Sequence, residues 1–374
     1  MNAGFVRSSS LPNVWSMVLV LFLAGVPAWA QSIDSGFDPN CNGRVFAIAL
    51  QNDGKILVGG EFTSVGGMPR AHLVRLQHDG TVDTTFVADT DGSVSALAIQ
   101  PDGRILAGGQ FTRLNGRPQA NLVRLHPNGS VDRNFRAEAA GPILRLAVLK
   151  NRGVLVAGGF LDWAGSGQTG IVRLHNNGRL DTQFDAQADE AVISLAVQPD
   201  GKIVVGGDFT MLGGAPRAGF GRLNANGTLD ATFDPPPILD EVEPVALQLD
   251  GTILVGGDFS MMGTAPRENI ARVNADGSLD ESFNPGAPGF GLHTLFVQPD
   301  GKILVGGFLD QLGGLPVRNL GRLNADGSVD ATFNPGADSA VNVFAVEPDG
   351  SILVGGWFTN LAGAPRNYLG RLRP

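Results

Sequence analysis

Apolar and polar positions along this chain follow a unit that returns about every 50 residues. The unit is clear between Val192 and Phe233, which reads VISLAVQPDGKIVVGGDFTMLGGAPRAGFGRLNANGTLDATF. It opens on an apolar run over 192–198, followed by Pro199-Asp200-Gly201. Proline presets φ for the first turn position and glycine supplies the left-handed one, which suits a tight hairpin. A second run over 202–209 is β-branched and glycine-punctuated, as strands are. A longer loop carries Gly213-Gly214-Ala215-Pro216-Arg217, and a third run ends in Arg222-Leu223. Asn224-Ala225-Asn226-Gly227 then turns the chain into a fourth run through Asp230 and Phe233. No stretch of the unit carries helical periodicity.

A Gly-Gly pair opens at 59, 108, 158, 206, 256, 306 and 355, in steps of 49, 50, 48, 50, 50 and 49 residues. Four antiparallel strands per unit, repeated seven times, predict an all-β fold, a seven-bladed β-propeller over residues 31–374. An open solenoid would need atypical capping repeats at both ends. The chain instead carries a split repeat. Its last unit stops after the third strand, at Arg371-Leu372-Arg373-Pro374. The missing fourth strand matches Ile33-Asp34-Ser35-Gly36-Phe37, which repeats the Asp-x-x-Phe spacing of Asp230 and Phe233. The N-terminal strand is therefore expected to close the last blade, with Leu372 opposite Ile33 and Arg371 opposite Asp34. Both sheet edges are then paired rather than exposed.

Repeats of this form, with QPDGKIVVGGDF followed by RLNANGTLDATF, resemble the bacterial delta-60 repeats, a family of secreted β-propellers. The resemblance spans residues 32–373 and implies the fold and an extracytoplasmic setting, with no activity attached. The Gly-Gly element is also similar to kelch blades, but the Tyr and Trp that usually follow are absent.

The first 30 residues read as a signal peptide. Arg7 is the only charge before residue 34, an apolar run covers 14–25, and Ala28-Trp29-Ala30 offers small residues where a signal peptidase needs them. Cleavage would leave Gln31 first. A membrane anchor is the alternative, but the run is short against the roughly 20 residues of a span. Losing Arg7 moves the formal charge from −9 to −10. So acidic a chain repels nucleic acid and anionic lipid, and no basic run offsets it. Cys41 is the only cysteine, so packing and ring closure replace disulfides. A secreted, periplasmic or surface-bound monomer is expected, with no membrane span after cleavage.

Arg recurs at 75, 124, 173, 222, 272, 322 and 371, and Asp at 34, 83, 132, 181, 230, 280 and 330. In six units the Asp follows the Arg by eight residues across the tight turn, which sets them opposite on one sheet face. Structural ion pairs are expected, one per blade, with Arg371 pairing with Asp34; a ring of arginines holding an anion is the alternative. The turn Asn274-x-Asp276-Gly277-x-x-Asp280 resembles part of a calcium loop. It lacks the remaining ligands and the distal Glu, and turn chemistry alone accounts for Asn, Asp and Gly. No metal or cofactor is expected.

In a ring of near-identical blades, function belongs where blades differ. The loops from strand two to three and from strand four to the next blade share one face, the top. The interblade loops are acidic, with Asp89, Asp91, Glu138, Asp189, Glu190, Asp240, Glu241, Glu243 and Asp338. The second position of strand one is Phe46, Ser95, Leu144, Ile193, Glu243, His293 and Asn342, with Arg145 at the third position of unit three. The residue closing the Gly-Gly-x element is Glu61, Gln110, Phe160, Asp208, Asp258, Phe308 and Trp357. Arg145, Glu243, His293, Asn342 and Trp357 are thus the candidate ligand-binding residues at the channel mouth. A solvated rim and interblade packing are the plainer readings of the same residues. The histidines at 72, 78, 126, 175 and 293 show no metal spacing, and no nucleophile motif is present. The sequence points to a binding or interaction scaffold for a protein or glycan partner. A propeller hydrolase or lyase using top-face carboxylates on polysaccharide is the alternative.

Overall fold

The computed structural model describes residues 31–137 and 139–374; the expected signal peptide, residues 1–30, and Glu138 lie outside the described residues. The described residues form an all-β propeller of seven blades. The innermost strands are Val45–Leu50, Val94–Ile99, Ile143–Val148, Val192–Val197, Glu241–Leu247, Gly289–Val297 and Val341–Val346. Each pairs antiparallel with the second strand of its blade, which pairs with a third; in blade four these are Ile203–Gly207 and Phe220–Leu223. Each innermost strand packs on that of the next blade, and Val341–Val346 packs back on Val45–Leu50, closing the ring.

The fourth strand is shorter than the apolar pattern suggests. It makes one ladder pair, Leu223 with Leu229 in blade four, and then turns. The reason is local: Asp230 Oδ1 accepts the Thr232 N–H at 3.1 Å and its hydroxyl at 2.6 Å. That side-chain turn competes with the ladder and drops Phe233 into the core beside Phe220, with the rings edge-to-face at 5.6 Å. The cores lie between blades. Phe220 and Phe233 of blade four share one buried cluster with Val242, Val255 and Phe259 of blade five.

The Gly-Gly pair follows from a bulge. Val192 pairs with Gly207 and Ser194 with Gly206, so Ile193 has no partner. The bulge brings the backbone just before the inner strand onto the second glycine. A Cβ there would overlap the carbonyl of Arg44 at Gly60, of Ala191 at Gly207 and of Glu241 at Gly257. The first glycine is less constrained, since its Cβ would meet mostly side chains, as at Gly256. Blade three confirms the distinction. Ile143 pairs with Gly158 and Arg145 with Ala157, so the pair there is Ala157-Gly158. Aligning that repeat on Gly158-Gly159 is therefore one residue out. Phe160 is the counterpart of the core residue Phe209, not of Asp208, and it is buried against Trp163 at 5.1 Å.

The seven Arg–Asp positions lie within ion-pair distance, from 2.7 Å for Arg272–Asp280 to 2.9 Å for Arg75–Asp83. Each guanidinium carbon also sits 4.3–5.0 Å from the centre of the phenylalanine ring that follows the Asp. Most reach onward to the next blade: Arg222 donates to the Ala275 carbonyl at 2.7 Å and Arg272 to the Ala325 carbonyl at 2.6 Å. One side chain thus holds its hairpin, covers its aromatic anchor and ties adjacent blades.

Arg173 and Arg322 are the least buried of the seven arginines. Both meet their aspartates, Arg173 reaching Asp181 at 2.8 Å and Arg322 reaching Asp330 at 2.9 Å. Yet both are half-buried, whereas Arg75, Arg124, Arg222, Arg272 and Arg371 are buried. At Arg173 the cover is missing. In blade four Lys202 lies over the pair, 2.9 Å from Asp230, but Gly153 holds that position in blade three and has no side chain to offer. At Arg322 the onward contact is missing. The seam stands where the other blades have the turn that receives it, with Pro374 at the position of Ala325. Among the described residues Arg322 therefore makes its only side-chain hydrogen bond to Asp330.

At the seam the same parts join the two ends of the described chain. Ile33 pairs with Leu372, the Asp34 N–H donates to the Arg371 carbonyl at 2.8 Å, and the Arg373 N–H to the Ser32 carbonyl at 2.9 Å. Arg371 Nε reaches Asp34 Oδ2 at 2.9 Å and its Nη1 reaches the His78 carbonyl of blade one at 2.8 Å. Buried Arg366 adds bonds to the Phe37 and Asp34 carbonyls, both at 3.1 Å. Burial alone would raise the Asp34 pKa, but hydrogen bonds from Arg373, Arg371 and the Gly36 N–H hold it at about 2.

Urea unfolding tests this seam. Asp34→Arg and Arg371→Asp should each destabilise, by the roughly 3–5 kcal/mol of a broken buried pair, and the double reversal should recover part of the loss. Additive single mutants would mean the two ends do not share a blade. Because the folded pKa lies below the unfolded ~3.9, the Asp34 contribution is complete above about pH 4 and is lost as pH falls towards 2.

Candidate functional site

A bulge leaves one side chain per blade out of the ladder and re-aims it. The re-aimed residues are Phe46, Ser95, Leu144, Ile193, Glu243, His293 and Asn342. All seven line one cavity of about 380 Å³ at the channel mouth, together with Arg145 and Trp357. A narrower cavity of about 180 Å³ continues below it between the inner strands, and Arg145 lines both. The structure therefore brings the five candidate residues Arg145, Glu243, His293, Asn342 and Trp357 onto a single cavity. Blades five and six are the most distorted. The blade-five bulge spans Glu243 and Pro244, and blade six has bulges at both Phe290 and His293.

The polar half of the mouth is a chain of contacts. His293 Nδ1 lies 3.0 Å from Asn342 Oδ1, and an N–H there donates to the amide oxygen. That leaves Nε2 turned towards Glu243 Oε1 at 3.9 Å. Burial pushes the Glu243 carboxyl above the usual carboxylate range; Glu241 and Asp208 push the same way, while His293 and Arg145 pull it down. Arg145 is half-buried, and its Nη1 donates to the Leu144 carbonyl at 2.8 Å. Burial disfavours its charged form, with Glu243 opposing.

The aromatic residues of the mouth are Phe46 and Trp357, and Phe308 backs Trp357 with ring centres 5.4 Å apart and nearly perpendicular. His293 packs edge-on to Phe308 at 5.5 Å. Trp357 is not bare: Arg44 covers it, its guanidinium carbon 4.1 Å from the ring centre, and pairs with Glu61 at 3.6 Å. The Trp357 indole Nε1 is buried without a hydrogen-bond partner. Arg44 escaped the sequence reading although it carries the same signal as the others. It replaces Ser93, Pro142, Ala191 and Ala340 at the position before the inner strand.

Several loop acids belong to the fold rather than to a rim. Asp91 Oδ1 accepts the N–H groups of Thr112 and Arg113, both at 2.8 Å, and Asp189 and Asp338 grip their loops in the same way. The Thr112 hydroxyl and these N–H groups hold the Asp91 carboxyl at about 2. Asp89 likewise accepts the Ala71 N–H at 2.8 Å, and another group of acids lies in blades four and five. Asp208, Asp240 and Glu241 line a neighbouring top-face cavity of about 480 Å³. Glu241 stands directly across the ladder from Asp258. Elsewhere, Asp276 Oδ1 accepts the Ser278 N–H and hydroxyl, and Asp280 is held by Arg272 and Ser282, so the turn itself uses the oxygens of the calcium-like segment. The Cys41 thiol is pushed up to about 12 by burial, with Asp38 adding to it, which removes it as a nucleophile.

A family model described as a domain of unknown function, DUF5122, beta-propeller, matches residues 51–86, 100–135, 153–184, 198–233, 248–283, 298–333 and 347–374. The chain belongs to this family. Its seven matched segments each run from the first tight turn to the Arg–Asp–Phe clamp, except the last, which ends with the chain. No curated relative matches the chain. Among solved structures, a streptogramin B lyase is similar over 90% of this chain and 96% of its own, with 14% identity and a TM-score of 0.61. The WD40 beta-propeller domain of Doa1 is similar over 91% and 97%, with 15% identity and a TM-score of 0.56. A chain of a mitotic checkpoint complex is similar over 100% and 99%, with 14% identity and a TM-score of 0.58. At such identities these likenesses establish the propeller fold and nothing finer.

The Glu243 environment makes a direct prediction. In a carboxyl-carbon NMR titration, Glu243 should titrate above the ~4.3 of free glutamate. It should rise further in Arg145→Leu and fall in Glu241→Gln. A value at or below that of free glutamate would contradict this account of the mouth.

Proposed function

We propose that this protein is an extracytoplasmic binding scaffold that takes a polar ligand, carried by a glycan or a protein partner, into the mouth on its top face. The observation that carries the reading is the convergence of the repeat-breaking residues. The fold alone asks for a small or apolar residue at most of these positions. Yet Glu243, His293, Asn342 and Arg145 all replace such residues round one cavity. Concave sites with a few convergent polar groups and shifted carboxyls are where ligands bind. The setting outside the cytoplasm rests on the apolar leader-like segment before Gln31 and on the family resemblance.

The test takes protein recovered from the periplasm or medium, where its first residue should be Gln31 rather than Met1. A glycan array and a divalent-ion series are screened against it and against Glu243→Ala. A ligand retained by the wild type and weakened at least tenfold in the variant supports the reading. Equal binding to both removes Glu243 from the site. Turnover of a polysaccharide in the same screen would replace binding by the hydrolase or lyase alternative.

A further inference from the structure

Arg145 is a channel residue that the propeller does not explain. Its counterparts opposite the first glycine position are Ala47, Ala96, Ser194, Thr294 and Val343, all small or apolar. The seven clamp arginines each have an aspartate, whereas among the described residues no carboxylate lies within ion-pair distance of Arg145. Among the described residues its one side-chain hydrogen bond goes to the adjacent Leu144 carbonyl. Most of its five donors are therefore left to the two cavities that it lines. A half-buried guanidinium with no counter-ion in reach favours an anion, and its planar fork matches a carboxylate with two parallel bonds.

The surroundings narrow the anion. Asp208, Glu241 and Asp258 lie on the same side as Glu243 and repel a multiply charged group such as phosphate. Glu243 and Asn342, which line the same cavity as Arg145, suit hydroxyls. Leu144 and Ile193 offer apolar surface to the face of a ring. A cavity of about 380 Å³ falls within the range for a small ligand.

Resting on the binding reading above, we propose that the mouth takes a uronic-acid residue, its carboxylate on Arg145 and its hydroxyls on Glu243 and Asn342. The ligand is one end or one unit of an acidic polysaccharide. Binding supplies the counter-ion that the fold withholds from Arg145.

Isothermal titration calorimetry at neutral pH with trigalacturonate, maltotriose and inorganic phosphate tests the proposal. The wild type should bind trigalacturonate at least tenfold more tightly than maltotriose. Arg145→Gln should remove that preference, bringing the two trisaccharides to within about twofold of each other. Thermal melts check that the variant folds. Should it not, Arg145→Lys, which keeps the charge but loses the fork, should retain part of the preference. Equal wild-type binding of the two trisaccharides, or a preference that survives Arg145→Gln, overturns the proposal while leaving a glycan-binding scaffold in place. Phosphate binding as tight as trigalacturonate also overturns it, in favour of a general anion site. Failure of all three probes, alongside an empty glycan array, contradicts the binding reading itself.

Discussion

The carbonyl that the inner-strand bulge brings onto the second glycine of each blade is the contact from which the rest of the molecule follows. It admits no side chain at Gly60, Gly109, Gly158, Gly207, Gly257, Gly307 or Gly356. Every blade keeps glycine there, although the glycine before it gives way to Ala157 in blade three. The same bulge turns one side chain per blade out of the ladder and into the channel mouth. Scaffold and candidate site are thus one device: the constraint is constant round the ring, and the residue that it re-aims is free to vary.

The outer rim uses a second repeated device. An arginine that holds its hairpin aspartate, lies over a phenylalanine ring and reaches the next blade couples neighbouring sheets without disulfides. At the seam it joins Arg371 to Asp34 across almost the full length of the described chain. Loss of either end exposes a sheet edge. Arg322, the clamp just before the seam, lacks the onward bond, and Arg366 grips the closing strand at the same junction, as Arg267 does within blade five.

The fold was legible because the repeats lie within one chain. Seven similar units expose their own pattern, and the split last unit betrays the closure. Some details were misread for physical reasons. Gly158-Gly159 imitates the glycine pair, but the ladder sets Ala157 and Gly158 in its place, which only backbone register reveals. The fourth strand looked as long as its apolar pattern, but the Asp230 side chain captures the backbone and ends it. The clamp arginines looked alike in sequence, yet the cover over Arg173 depends on position 153, some 20 residues away on the neighbouring strand. The mouth was legible as breaks in the repeat at one strand position. The fate of each charge was not. Asp91 and Glu243 look alike as loop-proximal acids, yet one is consumed by the Thr112 loop and the other is half-buried beside His293. Such differences depend on contacts across strands and blades, which carry no local signature.

The most direct test of the central claim compares two adjacent glycines in blade five by urea unfolding. A Cβ on Gly256 would meet the edges of Pro244, Leu295 and Leu292 side chains, which can yield; a Cβ on Gly257 would overlap the Glu241 carbonyl, which cannot. Gly256→Ala should therefore cost no more than about 1–2 kcal/mol and leave the mouth intact, while Gly257→Ala should cost about 3 kcal/mol or more and displace Glu243. Equal costs at the two positions, or a Gly257→Ala variant that unfolds like the wild type, would show that the bulge contact does not hold the blade together.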